Sequence, residues 1–397
     1  MDDQQRLLNP IPTRELERRW KAVREAMAER GIDALVLQNN NEFLGGYVKW
    51  FTDTPGKNAY PLSVLFPREG RMTLVGMGPF GGEREIAESD VTHRGVAKFL
   101  TTPAFAAADY SKHYDAELIG AELKRRSPKT VGLVGTAGMS YAFCDFLKGQ
   151  NPAGAVFVDA TEMVDGIKAV KSEDEMERLR QTAAMQDQII AEVGRAIKPG
   201  MRDFEVTALA QYLGQQKGSE QGIFLGTSAP QGSPSRFAQR HFQGRQLKEG
   251  DHLVLLVENN GFGGFYTEIS RTFVLGKAGA QLSEAFDQAC EASAHTLKNL
   301  LPGAPCGEVF AAHNDFMRAR GLPEERRIFA HGQGYDMVER PLIRDDETMA
   351  IAANMNIAVH PAIPTDEMFV TVCDNYPIGP NGPEASLHKT PQKIFEI

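Results

Sequence analysis

The 397-residue sequence predicts an α/β chain, α+β in its second part, made of a small domain at 1–165 and a larger one at 166–397. Three observations carry this. Short apolar runs, DALVLQ (33–38), PLSVLFP (61–67), RMTLVGMG (71–78) and TVGLVG (130–135), read as strands separated by helical stretches. Longer amphipathic segments, stopped by proline–glycine pairs, and an extended hairpin fill the second part. A charged, helix-initiating stretch, MVDGIKAVKSEDEMERLR (163–180), joins the two. With 42% hydrophobic residues the chain can bury a core in each domain.

Leu16, Trp20, Val23 and Met27 recur at helical spacing, so a helix is expected over 13–31, ending at Gly31. The polar turn opening NNNEFLGGYVKWFTD (39–53) leads to the aromatics Trp50 and Phe51. Gly76, Gly78 and Gly81 form a GxGxxG before GEREIAESD (82–90), which reads as helical. That pattern suggests a dinucleotide site only inside a βαβ unit, whereas this strand belongs to a hairpin, so no cofactor is assigned to it. In the second domain, Ser172 and Glu175 form a capping box, with Met176, Leu179 and Ala183 on one apolar face. Helices are expected near 172–197, 203–217, 282–301 and 306–320, with stops at Pro199–Gly200 and Pro302–Gly303.

Four landmarks in the second domain bear polar groups. VLLVENNGFGGFYTEISRTFVLG (254–276) is a β-hairpin whose second strand begins near Tyr266. AHGQGYDMVERP (330–341) sets His331 beside an open glycine backbone, MNIAVHPAI (355–363) is a strand ending on His360, and MFVTVCDNY (368–376) is a strand carrying Cys373 and Asp374.

Composition narrows the function classes. A net charge of -9 argues against a nucleic-acid surface, and the apolar runs are too short to span a membrane. MDDQQRLLNPIP is acidic and polar, unlike a secretory signal, and the cysteines at 144, 290, 306 and 373 show no disulfide or zinc-finger spacing. A cytoplasmic location is expected.

The order of the four landmarks resembles the creatinase/aminopeptidase P/prolidase (pita-bread) superfamily, over nearly the whole chain. The resemblance implies a creatinase-like domain followed by a pita-bread catalytic domain. Metal-dependent members of that family hold two ions with an Asp on the first hairpin strand, a second Asp before a TRTF-like run, a His, a Glu before Pro, and a final Glu. Here ISRTF (269–273) is retained, the second Asp corresponds to Glu268, and the histidine to His331. The first Asp falls on Val257 or, with one extra residue in the strand, on Glu258. The Glu-Pro becomes His360–Pro361, the final Glu falls on Cys373 or Asp374, and the family's second histidine becomes Val338.

A bridged ion pair needs several carboxylates to balance its charge. With Val, His and Cys in their places, the sequence reading is a metal-independent, creatinase-like hydrolase that cleaves a C–N bond of a small non-peptide compound. His331 would shuttle a proton between an attacking water and a leaving nitrogen, His360 would be the second acid or base, and Glu268 would orient a histidine or bind a cationic substrate group; no cofactor is expected. Tyr266, His241, Glu339, Arg340 and Trp50 are the expected substrate-binding residues, with Arg236, Arg240 and Arg245 read either as carboxylate binders or as solvated loop charges. The resemblance also implies a homodimer in which the first domain of one chain, through Trp50 and Phe51, lies near the active site of the other. A small-molecule substrate is the expected partner, without nucleic acid or membrane.

Two other readings stand beside this one. The first is a hydrolase or lyase with one divalent ion (Zn, Fe or Mn) at Glu268, His331, His360 and Cys373 or Asp374. The second is a non-catalytic binding module.

Overall fold

The structure, a computed structural model, describes residues 10–39, 46–56, 60–105, 107–151 and 154–397. Residues 1–9 of the amino-terminal segment discussed above and the polar turn at 40–45 therefore lie outside the described residues. Two compact units are present, Met1–Lys168 and Ala169–Ile397.

The first unit is built on a seven-stranded mixed sheet. Its order is Gly82–Glu85, Val96–Thr102, Met72–Met77, Leu62–Pro67, Ala34–Asn39, Thr130–Val134 and Val156–Asp159. The helix Thr13–Glu29 buries Leu16, Trp20, Val23 and Met27, the residues whose spacing defined it. One expectation fails: GERE (82–85) is an edge strand, antiparallel to Val96–Thr102, rather than the start of a helix. Backbone groups of the neighbouring strand offer it pairing that four residues with little helical reason could not find locally. The glycine pattern beside it is a packing device, because a Cβ at Gly78 would lie 2.6 Å from Thr101 and one at Gly76 3.0 Å from Phe99.

Among its described residues the second unit pairs helices with two five-stranded sheets and one two-stranded sheet. Glu173–Ala196 opens on the predicted capping box, with both the Ser172 and the Glu175 side-chain bonds formed, an arrangement worth about 1 kcal/mol. It packs with Asp203–Gln216 under the hairpin Asp251–Asn260/Tyr266–Val274, whose Leu253, Leu255, Val257, Ile269 and Phe273 face the helices in one apolar cluster. Ala280–Asn299 and Cys306–Ala319 pair similarly, and a second cluster forms around Phe329, Ala330, Ile357, Val359 and Tyr376.

The hairpin register is His252↔Val274 through Asn260↔Tyr266, which places Glu258 directly opposite Glu268. A second sheet joins Ala330–Gly332 to Glu339–Leu342 and to Asn356–Val359, which pairs in turn with Asp374–Gly379. The segment 368–376 was expected as one strand and is two, Phe369–Thr371 and Asp374–Gly379. The first pairs with Ala362–Pro364 and the second with Asn356–Val359, so the chain changes partner at Cys373, which bridges to Ser270. Similarly, the Asn356–Val359 strand stops one residue before His360, where Pro361 cannot donate to a ladder.

Candidate active site

Side chains alternate across a strand, so residues with the parity of Val257 face the helices and those with the parity of Glu258 face the opposite side. Val257 lies in the apolar cluster with Ile269. Glu258 and Glu268 form a cross-strand pair, both buried. Of the two sequence placements for the family's first acidic residue, the one on Glu258 is thus the one that shares a face with Glu268.

Glu268, His331 and His360 offer ligand atoms that lie within 4.8 Å of one another. Nε2 of His331 and Nε2 of His360 are each 3.5 Å from Oε1 of Glu268, and the two imidazole centroids are 5.2 Å apart. His331 is placed by its short strand and by the two glycines after it. A Cβ on Gly332 would lie 2.5 Å from the Arg340 carbonyl oxygen, and one on Gly334 2.7 Å from the Glu339 carboxylate. Nδ1 of His331 is 2.9 Å from the Gly332 carbonyl oxygen. A carbonyl only accepts, so Nδ1 carries a proton and Nε2 is the nitrogen left to take up a proton or an ion beside Glu268.

Charge and burial oppose each other here. Burial works against a charged Glu268, but the two histidines overcome it and hold the carboxyl down at about 2. Burial opposes protonation of His331 as well, yet Glu268 beside it raises the imidazole above its ordinary value. His360 is pushed down to about 4 by burial, only partly offset by Glu268. Burial, reinforced by the facing Glu268, pushes the Glu258 carboxyl well up.

A chain of amides underlies the site. The Glu268 backbone N–H donates to Asn375 Oδ1 (2.8 Å), Asn375 Nδ2 to Gln333 Oε1 (2.8 Å), and Gln333 Nε2 to Glu258 Oε1 (3.0 Å). Sequence reading missed both Gln333 and Asn375. Gln333 was visible only as the residue between two glycines, and Asn375 only as two places beyond Cys373, hence on the same side of its strand.

The remaining expected residues are placed as follows. Tyr266 is buried, its N–H donating to the Gly334 carbonyl (2.7 Å) and its hydroxyl to Gln221 Oε1 (3.2 Å). Glu339 accepts from Lys171 Nζ (2.7 Å) in a buried ion pair, and Arg340 forks onto Glu347. His241 is exposed on the turn Arg240–Phe242, against the Phe242 ring. Arg240 lies over Phe204, Arg245 forks onto Asp251, and Arg236 is exposed. Cys373 is buried, its thiol pushed well up by burial and by Glu268, with Sγ 3.7 Å from the Glu268 carbonyl oxygen. Asp374 engages Arg271 (2.8 Å), His388 (3.3 Å) and Gln392 (2.6 Å). Trp50 belongs to the first unit, buried edge-on to Phe51 with the Arg19 guanidinium 5.3 Å from its ring.

The donor set suits a cation. Oε1 of Glu268 and Nε2 of His360 are buried without a hydrogen-bond partner, a state that costs about 1–3 kcal/mol per atom unless something coordinates them. Two imidazole nitrogens and one carboxylate form a borderline set for a transition-metal ion.

The two-unit architecture is the pita-bread one, and comparison with known proteins agrees. The model of metallopeptidase family M24 matches residues 177–378, and that of the creatinase/prolidase N-terminal domain matches 19–170. The chain therefore belongs to metallopeptidase family M24. It is 24% identical over 389 residues to an uncharacterized peptidase, YqhT, of Bacillus subtilis, covering 94% of this chain and 98% of that protein. It is also 25% identical over 212 residues to a probable dipeptidase, PepE, of Mycobacterium tuberculosis, a match over 53% of this chain that spans only 56% of PepE. Among solved structures, the X-Pro aminopeptidase of Thermotoga maritima superposes with a TM-score of 0.77 at 18% identity, covering 95% of this chain and 99% of that one. The Xaa-Pro dipeptidase of Bacillus anthracis gives 0.76 at 18% identity, covering 96% and 100%.

These findings correct two expectations. A metal-independent hydrolase restricted to non-peptide compounds is overturned by membership of a metallopeptidase family and by relatives named as dipeptidases. The expectation of no cofactor falls with it, because the family is one of metallopeptidases and Glu268, His331 and His360 form a group that could hold an ion. The single-ion reading that stood beside it is the better supported of the two, because three of its expected ligands converge. Among the described residues no helix is long and apolar enough to cross a membrane.

Proposed function

We propose that this chain is a metal-dependent hydrolase that cleaves an amide bond in a small peptide, with one divalent ion held by Glu268, His331 and His360. The observation that carries the reading is the convergence of those three ligand atoms within 4.8 Å. The names of the relatives, dipeptidase and Xaa-Pro dipeptidase, support a short peptide as substrate. A divalent ion at such a site supplies Lewis acidity for a scissile carbonyl and acidifies water.

The chain's own residues do the rest. The bond from His331 Nδ1 to the Gly332 carbonyl sets the tautomer and ring angle that aim Nε2 into the site. Asn375, accepting from the Glu268 backbone, holds the strand that carries the carboxylate ligand. Glu258, opposite Glu268, keeps a carboxyl beside the reacting bond that can pass a proton to a leaving nitrogen. Cytoplasmic location and a homodimer are part of the same proposal, the latter checked by light scattering.

The test is to strip the purified, untagged chain with a chelator, restore Mn2+, Co2+ or Zn2+ singly, and assay dipeptides with and without a carboxyl-terminal proline. Ion-dependent turnover at one ion per chain is expected. Full turnover by the stripped chain, or two tightly bound ions, would sink the proposal.

A further inference from the structure

Glu258 stands next to the three-ligand cluster and yet is not one of its members. Its Oε1 is already occupied by Gln333 Nε2 at 3.0 Å. Gln333 is wholly buried, its other donor contact goes to the Met337 carbonyl (3.0 Å), and its backbone carbonyl accepts from Asn356 Nδ2 (3.0 Å). Its Oε1 accepts from Asn375 Nδ2, and Asn375 Oδ1 accepts from the Glu268 N–H.

The direction of this relay is not arbitrary. The Glu268 backbone can only donate, so the contacting atom of Asn375 is its oxygen. That leaves the Asn375 amide nitrogen to donate to Gln333 and orients the Gln333 nitrogen toward Glu258. Each amide is thereby fixed against flipping, and the last donor points at a carboxylate oxygen. An apolar residue between Gly332 and Gly334 would supply no such donor.

Resting on the metal-site reading above, we propose that Gln333, oriented by Asn375, is a positioning residue. It holds the Glu258 carboxyl away from the Glu268–His331–His360 cluster, so that the site takes one ion and Glu258 stays outside its coordination shell. With Oε1 tied to a buried amide donor, the Glu258 carboxyl cannot swing toward the cluster without stranding that donor in the interior.

The experiment is Co2+ titration of the chelator-stripped full chain, followed by visible d–d absorption and by the number of ions bound at saturation. The wild type should saturate at one Co2+ per chain. Glu258→Gln should leave that spectrum and stoichiometry unchanged, because Glu258 is no ligand. Gln333→Met, close in length but lacking the donor, should shift the spectrum toward the weaker absorption of a higher coordination number or admit a second ion. Adding Glu258→Gln to Gln333→Met should restore the wild-type spectrum.

A spectrum unchanged in Gln333→Met, or a change that persists in the double variant, overturns the inference while leaving the metal site intact. So does a spectrum altered by Glu258→Gln alone, which decides the matter even if Gln333→Met does not fold. Failure of the wild type to bind Co2+ would instead sink the metal-site reading itself.

Discussion

His331 and His360 come from separate strand ends and approach the same atom, each bringing Nε2 to 3.5 Å from Oε1 of Glu268. Neither histidine is adjacent to Glu268 in sequence, and they share it as a target because the two sheets are joined by the Ser270–Cys373 bridge and by the Tyr266–Gly334 and Glu268–Asn375 hydrogen bonds. The arrangement makes Glu268 the hub of the site.

Replacing the hub should therefore hurt ion binding more than replacing any supporting residue. Loss of an outer partner typically costs 10–100-fold in metal affinity, and Glu268→Gln or His331→Ala should exceed about 100-fold on the same scale. Isothermal titration with Mn2+ or Co2+ measures this directly. A companion readout is the thermal shift on adding ion, which for the wild type at about 100 times Kd corresponds to roughly 2.7 kcal/mol and should vanish in either variant.

Gly332→Ala should act through the backbone rather than the chemistry. The new Cβ would lie 2.5 Å from the Arg340 carbonyl oxygen, which belongs to a paired strand and has little freedom to withdraw. Such overpacking costs about 1–3 kcal/mol, visible in urea unfolding, and it should also weaken ion binding by displacing His331. Unaltered stability with full ion affinity would show that the strand can yield.

Arg271 and Asp374 form a fully buried ion pair at 2.8 Å, and the same guanidinium also donates to the Thr390, Pro391 and Cys373 carbonyls. Arg271→Met leaves Asp374 without its guanidinium partner in the interior and unties the carboxyl-terminal segment. A loss of about 3–5 kcal/mol is expected in denaturant unfolding. A loss below about 1 kcal/mol, the scale of an exposed pair, would contradict the burial on which this rests.

His313 predicts an acid sensitivity independent of the active site. It is buried against Phe329, its Nδ1 is 2.9 Å from the Thr296 hydroxyl, and burial pushes its imidazole down to about 4. The unfolded chain takes up this proton near pH 6.5 and the folded chain only near 4, so stability should fall as the pH drops through that window. The contribution is on the order of 3 kcal/mol when the window is fully crossed. His313→Leu should flatten the pH dependence of unfolding between pH 7 and 4.5 relative to the wild type. Parallel curves would refute the assignment.

Much of the fold was legible because it depends on periodicity. The spacing of Leu16, Trp20, Val23 and Met27 located a helix, Ser172 with Glu175 marked its counterpart in the second unit, and an apolar run entering a glycine-rich turn at 254–266 announced a hairpin. GERE at 82–85 was misread because its conformation is set by a neighbouring strand, and 368–376 because a run of apolar residues does not reveal a change of pairing partner.

The site divides in the same way. His331, Glu268 and His360 could be named from the chain alone, since each lies on a landmark of an ordered pattern. What those residues do together depended on distances no pattern contains: one carboxylate oxygen between two imidazoles, Val257 turned into the core while Glu258 faces the centre, and Asp374 drawn aside by Arg271. Local sequence dictates which backbone conformation and which strand face a residue adopts. Whether groups from separate strands and turns share one dry space, where together they could hold an ion, is decided only when packing brings them together, because burial and proximity are properties of the assembled chain.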